Sequence, residues 1–204
     1  MIDISIVLST FGHNEEAQKV IREIPRGEGI SVYVASHGDS FIKGIQDFTW
    51  IDCPERGSSK SFDYVIRNIV KDEWIVYLCD DCEFPDKRWI NELRDSIKSS
   101  PNIGVIGFND KSDVNGIIAP IGCLRRSWYL EKYPLSNPYK NYFWDSELSF
   151  WAKRETLWLH ANNVNVNMKQ ERPVSSEAIQ EARKIYDDRE RTHQTINGKV
   201  IYCG

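Results

Sequence analysis

Two adjacent carboxylates, Asp80 and Asp81, directly follow a short apolar run, Trp74 to Leu78 and Cys79. Such a run is typical of a strand that is covered on both faces of a parallel sheet. Like charges at a buried strand end repel each other, and each carboxylate also loses hydration. A divalent cation removes this conflict, because carboxylate oxygens suit Mg²⁺ or Mn²⁺, which can bind substrate phosphates at the same time. The alternative is an ordinary solvated turn, where aspartate is common.

Two cysteines, Cys79 and Cys82, bracket these aspartates as a C-x-x-C pair. A redox pair needs a lowered thiol pKa, whereas neighbouring carboxylates raise it. A structural zinc site needs four ligands, and the sequence has no second pair of cysteines or histidines at the usual spacing. We therefore expect both thiols to be structural bystanders. The chain has five scattered cysteines, an odd number, which argues against a disulfide framework and favours a reducing compartment.

The elements that must position these residues alternate along the chain. Runs rich in β-branched residues predict strands at 4–8, 30–35, 48–51, 74–78, 104–108, 117–124, 157–160 and 164–168. Helical spacing of apolar residues predicts helices at 14–24, 62–70, 86–99, 128–133, 145–154 and 175–191. We expect an α/β fold, in which a mixed, mostly parallel sheet is flanked by helices and binds its ligand at the carboxyl ends of the strands.

Composition excludes several classes of protein. A chain of 204 residues with 41% apolar residues and a net charge of −4 is an ordinary globular domain, neither disordered nor suited to coat nucleic acid. No apolar run could cross a bilayer and the N-terminus does not resemble a signal peptide, so we expect a cytoplasmic protein. Nucleotide-binding fingerprints are also incomplete, since Val32 stands at the third glycine of a dinucleotide motif and Asp52 at the first glycine of a P-loop.

The order of elements from Ile4 to Met168 resembles the GT-A glycosyltransferases of the family 2 type, which transfer a sugar from a nucleotide diphosphate to an acceptor. Ile4 to Phe11 resembles the first strand and donor loop of that family, which implies that Thr10 and Phe11 contact the donor. Asp39, in the segment Ser36-His37-Gly38-Asp39-Ser40, stands where the family reads the nucleobase.

The acidic motifs of the same family are also similar to segments of this chain. Tyr77 to Pro85 resembles the D-x-D region, which implies that Asp81 holds Mn²⁺ or Mg²⁺ and that Asp80 contacts ribose or the metal. Phe143-Trp144-Asp145-Ser146-Glu147-Leu148 resembles the motif that opens the helix of the catalytic base, with Asp145 as first candidate and Glu147 as second. An inverting transfer needs such a carboxylate beside the acceptor hydroxyl. A plain helix start would also favour acids at these positions, because they complement the helix dipole.

Some positions depart from the pattern of the family. The motif Ala-Arg-Asn, expected before the helix leading to the D-x-D strand, is replaced by Lys60-Ser61-Phe62-Asp63, which leaves Lys60 or Asp63 as donor contacts. Asn167 occupies the expected place of a third metal ligand, so His160 and His193 become the candidates.

The resemblance implies a metal-dependent glycosyltransferase that uses a nucleotide-sugar donor, with UDP-sugar preferred. We expect residues 1–168 to form the catalytic domain, with the donor half at 1–100 and the acceptor half at 101–168, and residues 169–204 to form a helix and tail on or over the site. The acceptor would be a small molecule or a glycan, and Trp128, Tyr139 and Trp144 could stack on a sugar unless they belong to the core.

Two alternatives remain open. A modified base in DNA could be the acceptor, given a local basic excess, or the chain could be a non-catalytic nucleotide-sugar-binding module. The basic residues concerned are Arg125, Arg126, Lys132, Lys140, Lys153 and Arg154.

Overall fold

Eight strands form one sheet whose order is β3-β2-β1-β4-β7-β6-β8-β5. The computed structural model describes residues 1–38, 46–110, 119–142, 144–168 and 176–196. The strands are β1 Ile4–Ser9, β2 Ile30–Ser36, β3 Thr49–Asp52, β4 Trp74–Cys79, β5 Cys82–Glu83, β6 Val105–Asp110, β7 Gly122–Arg125 and β8 Trp158–Met168. The helices are α1 Asn14–Glu23, α2 Ser58–Asn68, α3 Trp89–Ser99, α4 Arg126–Lys132, α5 Trp144–Arg154 and α6 Ser176–Ile196.

The sheet is mixed, with a parallel half made of β3, β2, β1 and β4. Strand β7 runs antiparallel to β4 and β6, whereas β8 is parallel to β6 and pairs antiparallel with the short β5. The carboxyl ends of β1, β2, β4, β6 and β8 therefore lie at the same edge of the sheet. Ligands of α/β proteins bind at that edge, and this arrangement confirms the predicted fold class.

Each face of the sheet carries its own hydrophobic core. Helices α1 and α3 cover one face, where they pack on alternate residues of β1 such as Ile4, Ile6 and Leu8. Helices α2, α4 and α5 cover the other face, where they pack on Val7 and on Ile75. Because both faces are covered, the central strands are apolar on both sides, which explains the continuous apolar run of β4.

Strand β8 differs from the two short strands that the sequence predicts for this region. It is one strand of eleven residues with a register shift, since Phe108 pairs with Ala161 but Asn109 pairs with Asn165. The extra residues form a bulge that leaves Asn162 and Asn163 exposed. Polar residues inside the strand interrupt the alternation from which a strand is predicted, so the sequence shows two pieces. The predicted strand 117–124 corresponds to β7, which begins at Gly122 and ends at Arg125. Residues 111–118 lie outside the described part of the chain.

No helix within the described ranges has both the length and the apolar composition that crossing a membrane requires.

Candidate active site

A cleft of about 940 Å³ opens at the carboxyl edge of the sheet, above β1 and β4. Its walls come from the ends of these strands, the start of α2, residues 140–142 and 144–146, the last residue of β8 and one residue of α6. The lining residues include acids (Asp80, Asp81, Asp145), bases (Arg56, Lys140) and aromatic side chains (Phe11, Phe62, Tyr142, Trp144). The cleft thus combines carboxylates, cations and rings, the side chains needed to bind a charged, ring-containing ligand.

The predicted carboxylate pair lies on the floor of this cleft. Strands β1 and β4 are paired in parallel so that Ser9 lies beside Cys79, and the next residues, Thr10 and Asp80, therefore also lie side by side. The Thr10 hydroxyl donates a hydrogen bond of 2.8 Å to Oδ2 of Asp80, and both residues are buried. Asp81 lines the cleft next to Asp80.

These two carboxylates fit part of a hard-cation site. The described residues contain no group of three or more His, Cys, Asp or Glu side chains placed to hold a metal ion. Carboxylate oxygens in an open cleft nevertheless suit Mg²⁺ or Mn²⁺, because these ions commonly keep several waters and are bound by one or two carboxylates together with substrate phosphates.

Asp145 reaches the cleft from the first turn of α5. Burial raises the pKa of its carboxyl to about 6, although hydrogen bonds from the backbone N–H groups of residues 145 and 146 oppose the rise. Burial also raises the pKa of the Tyr77 phenol, and the charge of nearby Asp145 adds to that effect. A carboxylate with a pKa near 6 can accept a proton at neutral pH while remaining largely ionised.

Glu147, the second candidate base, points away from the cleft into the protein. Its two oxygens accept hydrogen bonds from the Tyr133 hydroxyl at 2.5 Å and from Nε of Arg189 at 2.6 Å. Burial raises the pKa of Glu147, and these two donors oppose the rise. Among the described residues, Glu147 is outside the cleft lining. Successive acids at positions i and i+2 of a helix lie on nearly opposite faces, so the structure brings only Asp145 to the carboxylate pair.

Residues 140–142 of the segment 137–142 form a rim of the cleft. The sequence predicted this segment only as part of the acceptor half, and its contact with α2 was not predicted. The Asn141 side chain accepts a hydrogen bond from Ser58 N–H at 3.0 Å, and the Lys140 carbonyl accepts one from Ser59 N–H at 3.1 Å. These contacts cap the start of α2, whose first N–H groups have no partner within the helix. Gly57 allows the close approach, since a Cβ there would lie 2.4 Å from the Lys140 oxygen.

Two basic residues line the cleft at this contact, Lys140 from the rim and Arg56 from the residues before α2. Neither was predicted as a donor contact. Lys140 was noted in the sequence only as part of the local basic excess. The glycine at position 57 marks a close approach between two backbones but does not say which segment approaches. Lys60, the predicted donor contact, is instead engaged elsewhere. Its Nζ donates to the Asn137 carbonyl at 2.9 Å and lies 3.8 Å from Glu55.

The remaining predicted residues are divided between the cleft and other places. Phe11 lines the cleft, whereas Asp63 is buried and accepts hydrogen bonds from Arg67 and Tyr129. His160 lies beside Gly107 in the sheet, outside the lining among the described residues. Asp39 lies outside the described residues, and for His193 the structure describes only the helical backbone, not the side chain.

Of the three aromatic residues considered as stacking platforms, only Trp144 lines the cleft. Its ring stacks on Phe62 with centroids 5.4 Å apart and meets the edge of Tyr77 at 5.0 Å. Trp128, Tyr139 and Trp144 are all buried in the core on that face of the sheet.

No protein-family model matches the sequence, and no curated protein is similar to it in sequence. Solved structures, in contrast, match most of the chain. Glucosyl-3-phosphoglycerate synthase from Mycobacterium tuberculosis, in complex with Mn²⁺, UDP and glucosyl-3-phosphoglycerate, superposes with a TM-score of 0.66 at 14% identity. That match covers 88% of this chain and 75% of the synthase.

Two other solved structures show a comparable similarity in fold. The mannosyltransferase PcManGT from Pyrobaculum calidifontis, in complex with GDP-Man and Mn²⁺, gives a TM-score of 0.63 at 14% identity over 82% of this chain and 57% of its own. S. aureus TarS, in complex with UDP-GlcNAc, gives 0.63 at 9% identity over 85% of this chain and 60% of its own. At such low identity the similarity concerns the fold, and this chain has the GT-A fold of the nucleotide-sugar glycosyltransferases.

Proposed function

We propose that the protein is a metal-dependent glycosyltransferase that transfers a sugar from a nucleotide diphosphate to an acceptor hydroxyl. The observation that carries the proposal is the meeting of Asp80, Asp81 and Asp145 in one cleft at the carboxyl edge of a GT-A sheet. Asp80 and Asp81 follow β4, whereas Asp145 lies in α5, more than 60 residues further along the chain. The fold therefore brings these three carboxylates together.

In this proposal the donor binds over the ends of β1 and β4. Asp81, with Asp80, would hold Mn²⁺ or Mg²⁺, whose charge stabilises the departing diphosphate when the ion is bound. Thr10 keeps the Asp80 carboxylate in place through its hydrogen bond. Arg56 and Lys140 add positive charge to the lining of the cleft, where they would attract an anionic donor.

Asp145 is proposed as the general base. The acceptor oxygen forms a bond to the anomeric carbon and gives its proton to the Asp145 carboxylate, while the bond from that carbon to the diphosphate oxygen breaks and its electron pair leaves with the nucleotide. A raised pKa of about 6 makes Asp145 a stronger base than an ordinary aspartate while keeping it ionised at neutral pH.

A UDP-sugar is the proposed donor, because UDP or UDP-GlcNAc is bound in two of the three similar structures described above and GDP-Man in the third. The acceptor is proposed to be a small molecule or a glycan. The basic residues that raised the alternative of DNA are largely engaged within the protein. Lys132 contacts Glu131 and Glu155, Arg126 donates to the Ile66 carbonyl, and Lys153 lies over the ring of Trp158.

A thermal-shift screen of UDP- and GDP-sugars, with and without MnCl₂, tests the proposal. A ligand at a hundred times its dissociation constant stabilises by about 2.7 kcal/mol, so the correct donor should raise the Tm by roughly 5 to 10 °C only when Mn²⁺ is present. Release of UDP from the selected donor then distinguishes an enzyme from a binding module, which would bind without turnover. Absence of Mn²⁺-dependent stabilisation by every nucleotide sugar would contradict the proposal.

A further inference from the structure

Helix α6 lies against the body of the protein through one stripe of residues. Ile179, Ala182, Tyr186 and Arg189 recur every three or four positions and therefore share one face of the helix. Ala182 is buried, and Ile185 and Tyr186 pack against the core beneath α2, α4 and α5. The opposite face carries exposed charged residues such as Lys184, whereas Arg183 flanks the stripe with its guanidinium 5.8 Å from the ring centroid of Tyr186.

At one end of this stripe, Ile179 reaches the active-site cleft. It is one of three large hydrophobic residues that remain exposed in the described part of the chain, with 38% of its surface accessible. Ile179 also lines the cleft. An apolar side chain left partly exposed inside a ligand cleft gains stability when a ligand covers it.

At the other end of the stripe, Arg189 anchors α6 to helix α5. Its Nε bonds Oε1 of Glu147 at 2.6 Å, and its guanidinium lies 5.5 Å from the ring centroids of both Tyr133 and Trp151. The Glu147 side chain is 4% exposed and the Arg189 side chain 30% exposed. The Tyr133 hydroxyl donates to the second oxygen of Glu147, so each oxygen of this carboxylate accepts a hydrogen bond from within the protein.

We propose that Glu147 is a positioning residue, which holds α6 through Arg189 so that Ile179 forms one wall of the substrate cleft. The proposal rests on the proposed function for the identity of the substrate, but the contact between the helices does not depend on it. The proposal gives the two acids of α5 different roles. Asp145 faces the cleft, whereas Glu147 holds α6, the helix that contributes Ile179 to the cleft.

Docking of α6 can be measured without any turnover. Removing the ion pair by Glu147→Gln or Arg189→Met should increase the rate of tryptic cleavage at Lys184 at least tenfold. Arg189→Lys keeps the charge without the flat guanidinium and should give an intermediate rate. The matched control is Glu181→Gln, which removes a charge from an exposed side chain of the same helix. Its cleavage rate at Lys184 should match that of the wild type.

Substrate binding then tests the role of the wall. With UDP-glucose and MnCl₂ as the probe, Glu147→Gln, Arg189→Met and Ile179→Ala should each raise the dissociation constant or KM several-fold, while kcat stays within about threefold. A merely structural contact would release the helix without changing binding. If Glu147 were the base, Glu147→Gln would instead lower kcat by roughly a hundredfold at unchanged KM.

The outcomes separate this proposal from the proposed function. If the variants release α6 but the wild type binds and turns over no nucleotide sugar, the proposed function fails and the anchor remains. If α6 stays protected in both Glu147→Gln and Arg189→Met, the anchor is wrong whatever the reaction. If α6 is released and the binding of UDP-glucose is unchanged, the role of Ile179 as a wall is overturned.

Discussion

The Thr10 hydroxyl and the Asp80 carboxylate are joined by a buried hydrogen bond of 2.8 Å that links the ends of β1 and β4. One oxygen of Asp80 is therefore engaged inside the protein, and the neighbouring Asp81 extends the pair along the cleft. The Thr10 hydrogen bond therefore fixes the orientation of the Asp80 carboxylate, and Asp81 is the proposed principal metal ligand.

Asp81→Asn should remove most of the Mn²⁺-dependent part of nucleotide binding, because an amide oxygen carries no charge to hold a divalent cation. We expect the affinity for UDP in MnCl₂ to fall at least tenfold in calorimetry, while the fold stays intact. Asp95→Asn is a suitable control, since Asp95 is an exposed acid on α3 that pairs with Lys98. Unchanged Mn²⁺-dependent binding by the Asp81→Asn protein would disprove the assignment.

Asp145→Asn should separate catalysis from binding. The amide preserves size and most hydrogen bonding but cannot accept the proton of the acceptor, so kcat should fall by roughly a hundredfold or more. The dissociation constant of the donor should change little, because a base acts in the transition state. Steady-state kinetics together with calorimetry check both parts, and a loss confined to donor affinity would contradict the role.

The raised pKa of Asp145 predicts opposite effects of pH on rate and on stability. Activity should rise with pH through about 6, as the carboxylate form appears.

Stability should depend on pH in the opposite direction, because the pKa of Asp145 in the folded protein lies above the unfolded value of about 3.9. Ionising Asp145 then lowers the free energy of unfolding. This cost is absent below the unfolded pKa and grows to about 3 kcal/mol above the folded pKa. Asp145→Asn should therefore be more stable than the wild type in urea unfolding, and this gain should grow by about 1.4 kcal/mol between pH 5 and pH 8. A difference independent of pH would show that the carboxyl is not desolvated.

Replacing Cys79 and Cys82 by serine should leave Mn²⁺-dependent nucleotide binding within a few-fold. The Cys82 thiol is buried, donates weakly to the Cys79 carbonyl at 3.0 Å, and has a pKa raised well above its usual range by burial. A serine hydroxyl can make the same contact, and the four cysteines that the structure describes are all free thiols. Elemental analysis should find no bound zinc; zinc lost together with activity in the double variant would show that the pair binds metal.

Gly57→Ala should damage the cleft rim. The backbone there has φ +137°, and the new Cβ would lie 2.4 Å from the Lys140 carbonyl oxygen, so the contact between α2 and the segment 137–142 must open. We expect a loss of about 2 kcal/mol or more in unfolding free energy. Gly12→Ala is the matched control, because Gly12 also has a positive φ but nothing lies within 4 Å of its Cβ position. Its cost should be limited to backbone strain of about 1 kcal/mol, and equal losses for both variants would exclude the clash.

Most elements of the fold could be predicted from the sequence, because strands and helices produce periodicities that local side chains display. The run before Asp80 indicated a central strand, and the predicted α1, α2 and α3 lie close to the observed helices. The sequence predicted two short strands in place of β8, because the bulge at Asn162 and Asn163 interrupts the alternation of apolar and polar residues within this strand. The two-residue strand β5 is shorter than any window in which a period can be recognised.

The sequence by itself determined which acids could do chemistry, Asp80, Asp81, Asp145 and Glu147, since their positions after an apolar strand or at a helix start are local features. Only the tertiary structure distinguishes the positions of the last two, since Asp145 lines the cleft and Glu147 does not. Glu147 is paired by Tyr133 and Arg189, and Arg189 lies 42 residues away in the chain. The contact of the segment 137–142 with the start of α2 could not be predicted either, because Ser58 and Asn141 are 83 residues apart. Periodicity reports which side of its own element a residue occupies, whereas its partners depend on which distant segments the order of the sheet brings alongside.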